Sequence, residues 1–232
     1  MNSNEDEIKK MLFDHLAGFI TAQRLAKFRE IINLRTRYIT VVLEDIYQPH
    51  NASAVLRSCD CFGVQDVHII ENRNRYEVNP DVALGSSKWL TMIKYNSAPD
   101  NTPEALTALR RKGYRIVATT PHQDDVTLQE LPVEKGPVAL LFGTELKGLT
   151  DTALSLADEY VKIPMYGFTE SFNISVSAGI SLFYLTEKIR NSNIDWQLPE
   201  NEKIDILLDW AKQTVKRADL LEKEFLKNLS AR

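Results

Sequence analysis

The chain has 232 residues, 44% of them hydrophobic and 26% charged, with 28 Lys and Arg against 32 Asp and Glu. That composition fits a soluble globular domain, and a net charge of −4 argues against a protein that simply coats nucleic acid. No window approaches the ~18 uncharged apolar residues of a membrane helix, and the acidic start MNSNEDEIKK carries no secretory pattern. Cys59 and Cys61 are too few and too close for a disulfide framework, so a reducing, cytoplasmic setting is expected, with no membrane partner.

In chain order, the segment to about Asn33 predicts two helices. Ile8, Met11, Leu12, Leu16 and Phe19 recur at helical spacing, as do Leu25, Phe28, Ile31 and Ile32. Ile39 to Leu43 is a compact, largely β-branched run, a strand buried on both faces. Asn51 is read as the cap of a helix that stops at Gly63, and Val67 to Ile70 is the next strand. Residues 72–88 have no period and end in Gly85-Ser86-Ser87. Thr102-Pro103-Glu104 opens a helix that stops at Gly113. Strands follow at Tyr114 to Thr119 and Val138 to Phe142. Thr150 opens a short helix through Asp158, Tyr160 to Ile163 is a strand, and a helix runs from about Asn173 to Ile189. After a linker, one amphipathic helix is predicted from about Glu202 to Asn228. Strands alternating with helices predict an α/β fold, a mostly parallel sheet with helices on both faces.

In such sheets ligands sit beyond the carboxyl ends of the strands, so those ends carry the functional information. Four of them lead into small or polar loops: Pro49-His50-Asn51, Ala118-Thr119-Thr120, FGTELKG from Phe142, and PMYGFTESFN from Pro164. Together they suggest a pocket whose backbone donors and acceptors suit a nucleobase-like group. Gly143 and Gly148 bracket Glu145, an acid that better suits a cationic or neutral ligand than a phosphate. Arg57, in a small and apolar stretch of helix, is read on roughly the side of Asn51. It either faces an open site or pairs with a carboxylate across the fold. Arg24, Lys27, Arg29, Arg35 and Arg37 against the single acid Glu30, with Lys216 near the end, read either as a phosphate-binding surface or as solvated helix faces. A GxGxxG, a P-loop and a nucleophile elbow are all missing, and His15, His50, His68 and His122 have no metal-ligand spacing with the cysteines.

PHNASAVLRSCDCFGV at 49–64, VALLFGTELKGLT at 138–150 and IPMYGFTESFNISVSAGISLFYL at 163–185, with GSSKWL at 85–90, carry a family likeness in order and spacing. Over residues 38–190 the sequence resembles the SpoU/TrmH branch of the SPOUT superfamily, RNA ribose 2′-O-methyltransferases that use S-adenosyl-L-methionine. The PHN motif, the flanking helices and the length are most similar to the members that methylate guanosine 18 of tRNA. Ser171-Phe172-Asn173 and Glu170 depart from the family's usual SLN and Gln. The resemblance implies a C-terminal trefoil knot, a homodimer, and a tRNA partner. It implies helical extensions at 1–37, in contact with RNA, and at 191–232, around a methyltransferase domain at 38–190. Thr119, Gly143, Ile163, Met165 and Phe172 would line the cofactor. Arg57 would be central to catalysis, with Asn51, Glu145, Ser171 and Asn173 orienting it, the ribose and the cofactor. Arg24, Lys27, Arg29, Arg35 and Lys216 would grip tRNA phosphates. The alternatives are a family member acting on ribosomal RNA and a non-catalytic knotted RNA-binding protein.

Overall fold

The computed structural model describes residues 3–76, 85–121, 126–145 and 147–230; His122, Leu146 and residues 77–84 of the unperiodic stretch lie outside the described residues. The chain divides into two compact units, Thr36–Trp196 and a second made of Met1–Arg35 with Gln197–Arg232.

The larger unit is a seven-stranded, wholly parallel sheet in the order β3-β2-β1-β6-β4-β7-β5. Its strands are β1 (Ile39–Glu44), β2 (Asp66–Ile70), β3 (Thr91–Tyr95), β4 (Arg115–Thr119), β5 (Val126–Thr127), β6 (Val138–Phe142) and β7 (Glu159–Lys162). Helices α3 (Pro49–Phe62) and α6 (Ile174–Arg190) cover one face, and α4 (Thr102–Arg111) and α5 (Asp151–Ser155) the other. The side-chain period of two sorts the core. Val41 and Leu43, with Leu140 and Phe142, face Val55, Leu56, Ala178 and Leu182. Val42 and Leu141 face Ala105, Leu106 and Ala153 on the opposite side. Strands buried on both faces are what the continuous apolar runs of β1 and β6 require.

Several boundaries differ from the sequence reading. Helix α3 begins at Pro49, with Gln48 as the flanking residue, so Asn51 lies inside the first turn rather than capping it. Proline lacks the N–H that a first turn leaves unpaired, and its fixed φ seats the helix two residues early. Helix α4 likewise begins at Thr102 itself, one residue after the buried Asn101. Strand β3, a half-exposed strand at the sheet margin, and the two-residue β5 were not predicted. Helix α5 ends at Ser155, and β7 is one residue earlier than its apolar residues suggest. Thr150 does cap α5, its hydroxyl accepting from Ala153 N–H at 3.1 Å.

The smaller unit comprises α1 (Ser3–Ala17), α2 (Ala22–Ile32), α7 (Glu200–Thr214) and α8 (Ala218–Ser230). Leu12, Phe13, Leu16, Leu208, Ala211, Val215 and Ala218 form its core, and the Phe28 and Trp210 rings meet edge to face at 5.4 Å. The single final helix expected is therefore two. Val215 is extended and Arg217 has φ 58°, so the chain turns where no glycine or proline marks a stop. Val215 and Ala218 are both buried on either side of that turn, so packing sets the break. No described helix is long and apolar enough to cross a membrane.

Candidate active site

The carboxyl ends of β4, β6 and β7 open on a cleft of about 330 Å³. Thr119 follows from β4, Gly143 and Glu145 from β6, and Ile163, Met165, Ser171 and Phe172 from the segment after β7; all seven line it. A cavity of this size accepts a nucleoside-sized ligand. The Thr119 hydroxyl donates to Leu141 carbonyl at 2.6 Å, tying the end of β4 to β6.

The loop after β6 folds back on itself through paired backbone hydrogen bonds between Thr144 and Gly148, both 2.9 Å. A side chain at position 143 would overlap the Gly148–Leu149 peptide, so only glycine permits this closure. The loop's far end is held by Glu44 at the end of β1. Its buried carboxylate accepts from Thr150 N–H at 2.9 Å, Thr150 hydroxyl at 2.8 Å and Thr102 hydroxyl at 2.5 Å. Glu44 was not singled out from sequence, although an acid ending a two-face-buried strand is itself a signal that polar partners must surround it.

Asn51 is the hub of the constellation. It is only 3% exposed, and its amide donates to Glu145 Oε1 at 2.6 Å and to Gln48 Oε1 at 3.2 Å. Its carbonyl accepts from Asn173 Nδ2 at 3.1 Å. Asn173 in turn caps α6, its Oδ1 accepting from Ser175 N–H at 2.8 Å and Ser175 hydroxyl at 2.6 Å. A chain of side-chain hydrogen bonds thus joins the starts of α3 and α6 to the glycine loop, three segments far apart in sequence. Asparagine suits the middle of such a chain because it donates and accepts at once.

Arg57 stands apart from this hub. Six residues at about 100° each place it about 120° around the helix from Asn51. Accordingly Asn51 is buried while Arg57 is exposed and does not line the cleft. The reading that put both on one side of α3 is therefore corrected. The carboxylate pairing also fails, because Arg57 makes no ion pair among the described residues. Arg57 is left as an uncommitted guanidinium.

Among the proposed RNA contacts, Arg24, Lys27 and Arg29 are exposed on α2 and Lys216 is exposed after α7; Lys27 also pairs with Glu30 at 3.1 Å. Arg35 does not belong with them. It is 2% exposed, its guanidinium 5.4 Å from the Trp210 ring centroid, a cation–π contact within the helical unit. A basic residue read in a run of basic residues gives no warning of an aromatic partner near the other end of the chain.

The SpoU rRNA Methylase family matches residues 38–183. The tRNA (guanosine(18)-2′-O)-methyltransferase of Borreliella burgdorferi is 43% identical over 94% of this chain and 97% of its own length. That of Thermus thermophilus is 32% identical over 83% of this chain and 98% of its own length. The crystal structure of the A. aeolicus TrmH/SpoU tRNA modifying enzyme superposes with a TM-score of 0.74 at 30% identity, covering 84% of this chain and 98% of that one.

Proposed function

The chain belongs to the SpoU rRNA methylase family, and from that premise we propose that it is an S-adenosylmethionine-dependent 2′-O-methyltransferase acting on guanosine 18 of tRNA in the cytoplasm. The observation that carries this reading is the convergence of three strand ends on one cleft, with the Glu145–Asn51–Asn173 chain bracing its walls. Ile163, Met165 and Phe172 offer apolar surface for an adenine, and the closed, side-chain-free turn at Gly143 lets backbone approach it. Thr119, Gly143, Ile163, Met165 and Phe172 would hold the cofactor, which supplies an electrophilic methyl group.

The protein then has two tasks, alignment of the ribose and stabilisation of its 2′-oxygen as the hydroxyl proton passes to solvent water. Alignment can contribute roughly 7–11 kcal/mol in favourable cases. Arg57 is the residue for the second task. A guanidinium keeps its protons in proteins, so Arg57 acts as an electrostatic clamp on the phosphate and the developing alkoxide rather than as a base. Asn51, Glu145 and Asn173 fix the loops, and Ser171, exposed and lining the cleft, is assigned to orienting the ribose.

Because Arg57 does not reach the cleft of its own chain, the reading includes a homodimer in which a second copy supplies that arginine. Support comes from α6, which exposes Val176, Ile180 and Phe183 in one row, Phe183 lying beside Phe62 of α3 at 6.1 Å between ring centroids. We also infer the family's trefoil knot. What supports it is the path from β7 past the glycine loop to α6, which packs on α3. The exposed basic residues Arg24, Lys27, Arg29 and Lys216 are assigned to tRNA phosphates.

Arg57→Ala tests the assignment. It should lower methyl transfer to tRNA by about 10²–10³-fold, the usual cost of losing one stabiliser of a developing oxyanion, with S-adenosylhomocysteine binding unchanged by calorimetry. Near-native transfer by the variant would remove Arg57 from the mechanism.

A further inference from the structure

We propose that the loop following β2 is a second RNA-binding surface, in which Arg73 and Arg75 take backbone phosphates of the substrate that flank the nucleotide being modified. The proposal rests on the RNA-methyltransferase reading, and extends it to a part of the sheet rim that neither the motifs nor the basic helices include.

The loop is built rather than merely exposed. Asp45, only 7% exposed, adopts φ 57°, a left-handed conformation uncommon for a residue other than glycine. From there one carboxylate oxygen accepts three successive backbone N–H groups, those of Asn72 at 3.1 Å, Arg73 at 2.7 Å and Asn74 at 2.8 Å. The Asn74 amide returns a bond to Asp45 carbonyl at 2.8 Å, and Asn72 Oδ1 accepts from Asn101 N–H at 2.8 Å. Glu71 accepts from Tyr76 N–H at 3.0 Å and from Asn96 Nδ2 at 3.1 Å, with Lys94 at 3.6 Å. Among the described residues, Asp45 and Glu71 are therefore both engaged by this frame.

The two arginines are the remainder. Arg73 and Arg75 are exposed and make no ion pair or side-chain hydrogen bond among the described residues, although Asp45 and Glu71 are near in sequence or fold. They border a hollow of about 490 Å³ whose other walls include Glu71, Asn74, Lys94 and Asn96. Two exposed guanidinium forks beside Lys94 and neutral amides, with Glu71 the one carboxylate among the described residues lining the hollow and already bonded to Tyr76 N–H and Asn96 Nδ2, match a phosphate rather than an apolar or cationic ligand.

Position decides which phosphate. In the sheet order, β2 neighbours β1, and β1 neighbours β6, whose end opens the cleft. Strands lie about 4.8 Å apart, so the end of β2 is roughly 10 Å from that of β6. An RNA strand whose ribose sits at the cleft has its neighbouring phosphates within reach of side chains on the β2 loop, across the start of α3.

The test is equilibrium binding of an unmodified tRNA transcript across a salt series. Compared are the native chain, the double variant Arg73→Gln/Arg75→Gln and the charge-conserving Arg73→Lys/Arg75→Lys. The glutamine variant should bind about tenfold more weakly at about 0.1 M salt, and its slope of log K against log salt should be shallower by about one to two units. The lysine variant should recover most of that slope. The glutamine variant's S-adenosylhomocysteine affinity and its turnover at saturating tRNA should match the native chain, so its loss lies in KM and not in kcat. Native affinity and slope in the glutamine variant, or an equal loss in both variants, would overturn the proposal. Methyl transfer by the native chain is read separately, so failure of the catalytic reading and failure of this surface are distinguishable.

Discussion

At the scale of single residues, a polar group buried in the sheet makes the stability of the fold depend on its ionisation. His68 on β2 is 1% exposed, its Nδ1 lies 3.1 Å from the Tyr95 hydroxyl, and its Nε2 has no hydrogen-bond partner among the described residues. Burial, with a smaller contribution from the Lys112 charge, lowers its pKa from 6.5 to about 4. The unfolded chain takes up this proton below about pH 6.5 while the folded chain does not until about pH 4, so its stabilisation is full above the first value and eroded on acidification towards the second. Between about pH 7 and pH 5 the loss attributable to His68 is about 2 kcal/mol. Urea titrations of the native chain and of His68→Phe should show that the variant has a correspondingly smaller drop over this interval; parallel pH dependence would exclude His68. From sequence, His68 could only be called a histidine without a metal partner. Asn51, Glu145 and Asn173 were legible as a set through their motifs, but that Asn51 joins the other two was not, because its helix starts two residues earlier than a capping asparagine would imply. Arg35 shows the converse limit, since charge pattern along the chain says nothing of burial beneath Trp210.

At the scale of elements, the most diagnostic feature is a helix apolar on two sides. In α6, Ala178, Leu182, Leu185 and Ile189 fill the core, while Val176, Ile180 and Phe183 are 45%, 36% and 58% exposed. A helix apolar all round is normally covered all round, and a second copy packed on this row would cover it and bring its arginine forward. Phe183→Glu should convert a native dimer to monomers in sedimentation equilibrium and suppress methyl transfer, with little change in the circular dichroism of the isolated chain. A native chain that is monomeric at tens of micromolar would refute the dimer. Periodicity found α6, α3 and the buried strands β1, β2 and β6 because each has a strong pattern. It missed β3, whose Thr91–Tyr95 is mostly half-exposed and bears Lys94, and it missed the turn between α7 and α8, which no local breaker residue announces.

For the whole molecule, two units divide the labour in this account. The parallel sheet concentrates loop ends at one rim, which is the reason a fold with no phosphate-binding fingerprint can still assemble a nucleoside-sized cleft. The helical unit pairs the two ends of the chain and carries Arg24, Lys27, Arg29 and Lys216 on its surface, so net acidity and a local basic surface coexist. The most direct measurement is to incubate the native chain with methyl-labelled S-adenosylmethionine and separate pools of unmodified tRNA and ribosomal RNA, then locate the labelled ribose. This account predicts label in tRNA alone, on the 2′-oxygen of guanosine 18. Label in ribosomal RNA, on a base, or in neither pool would contradict it.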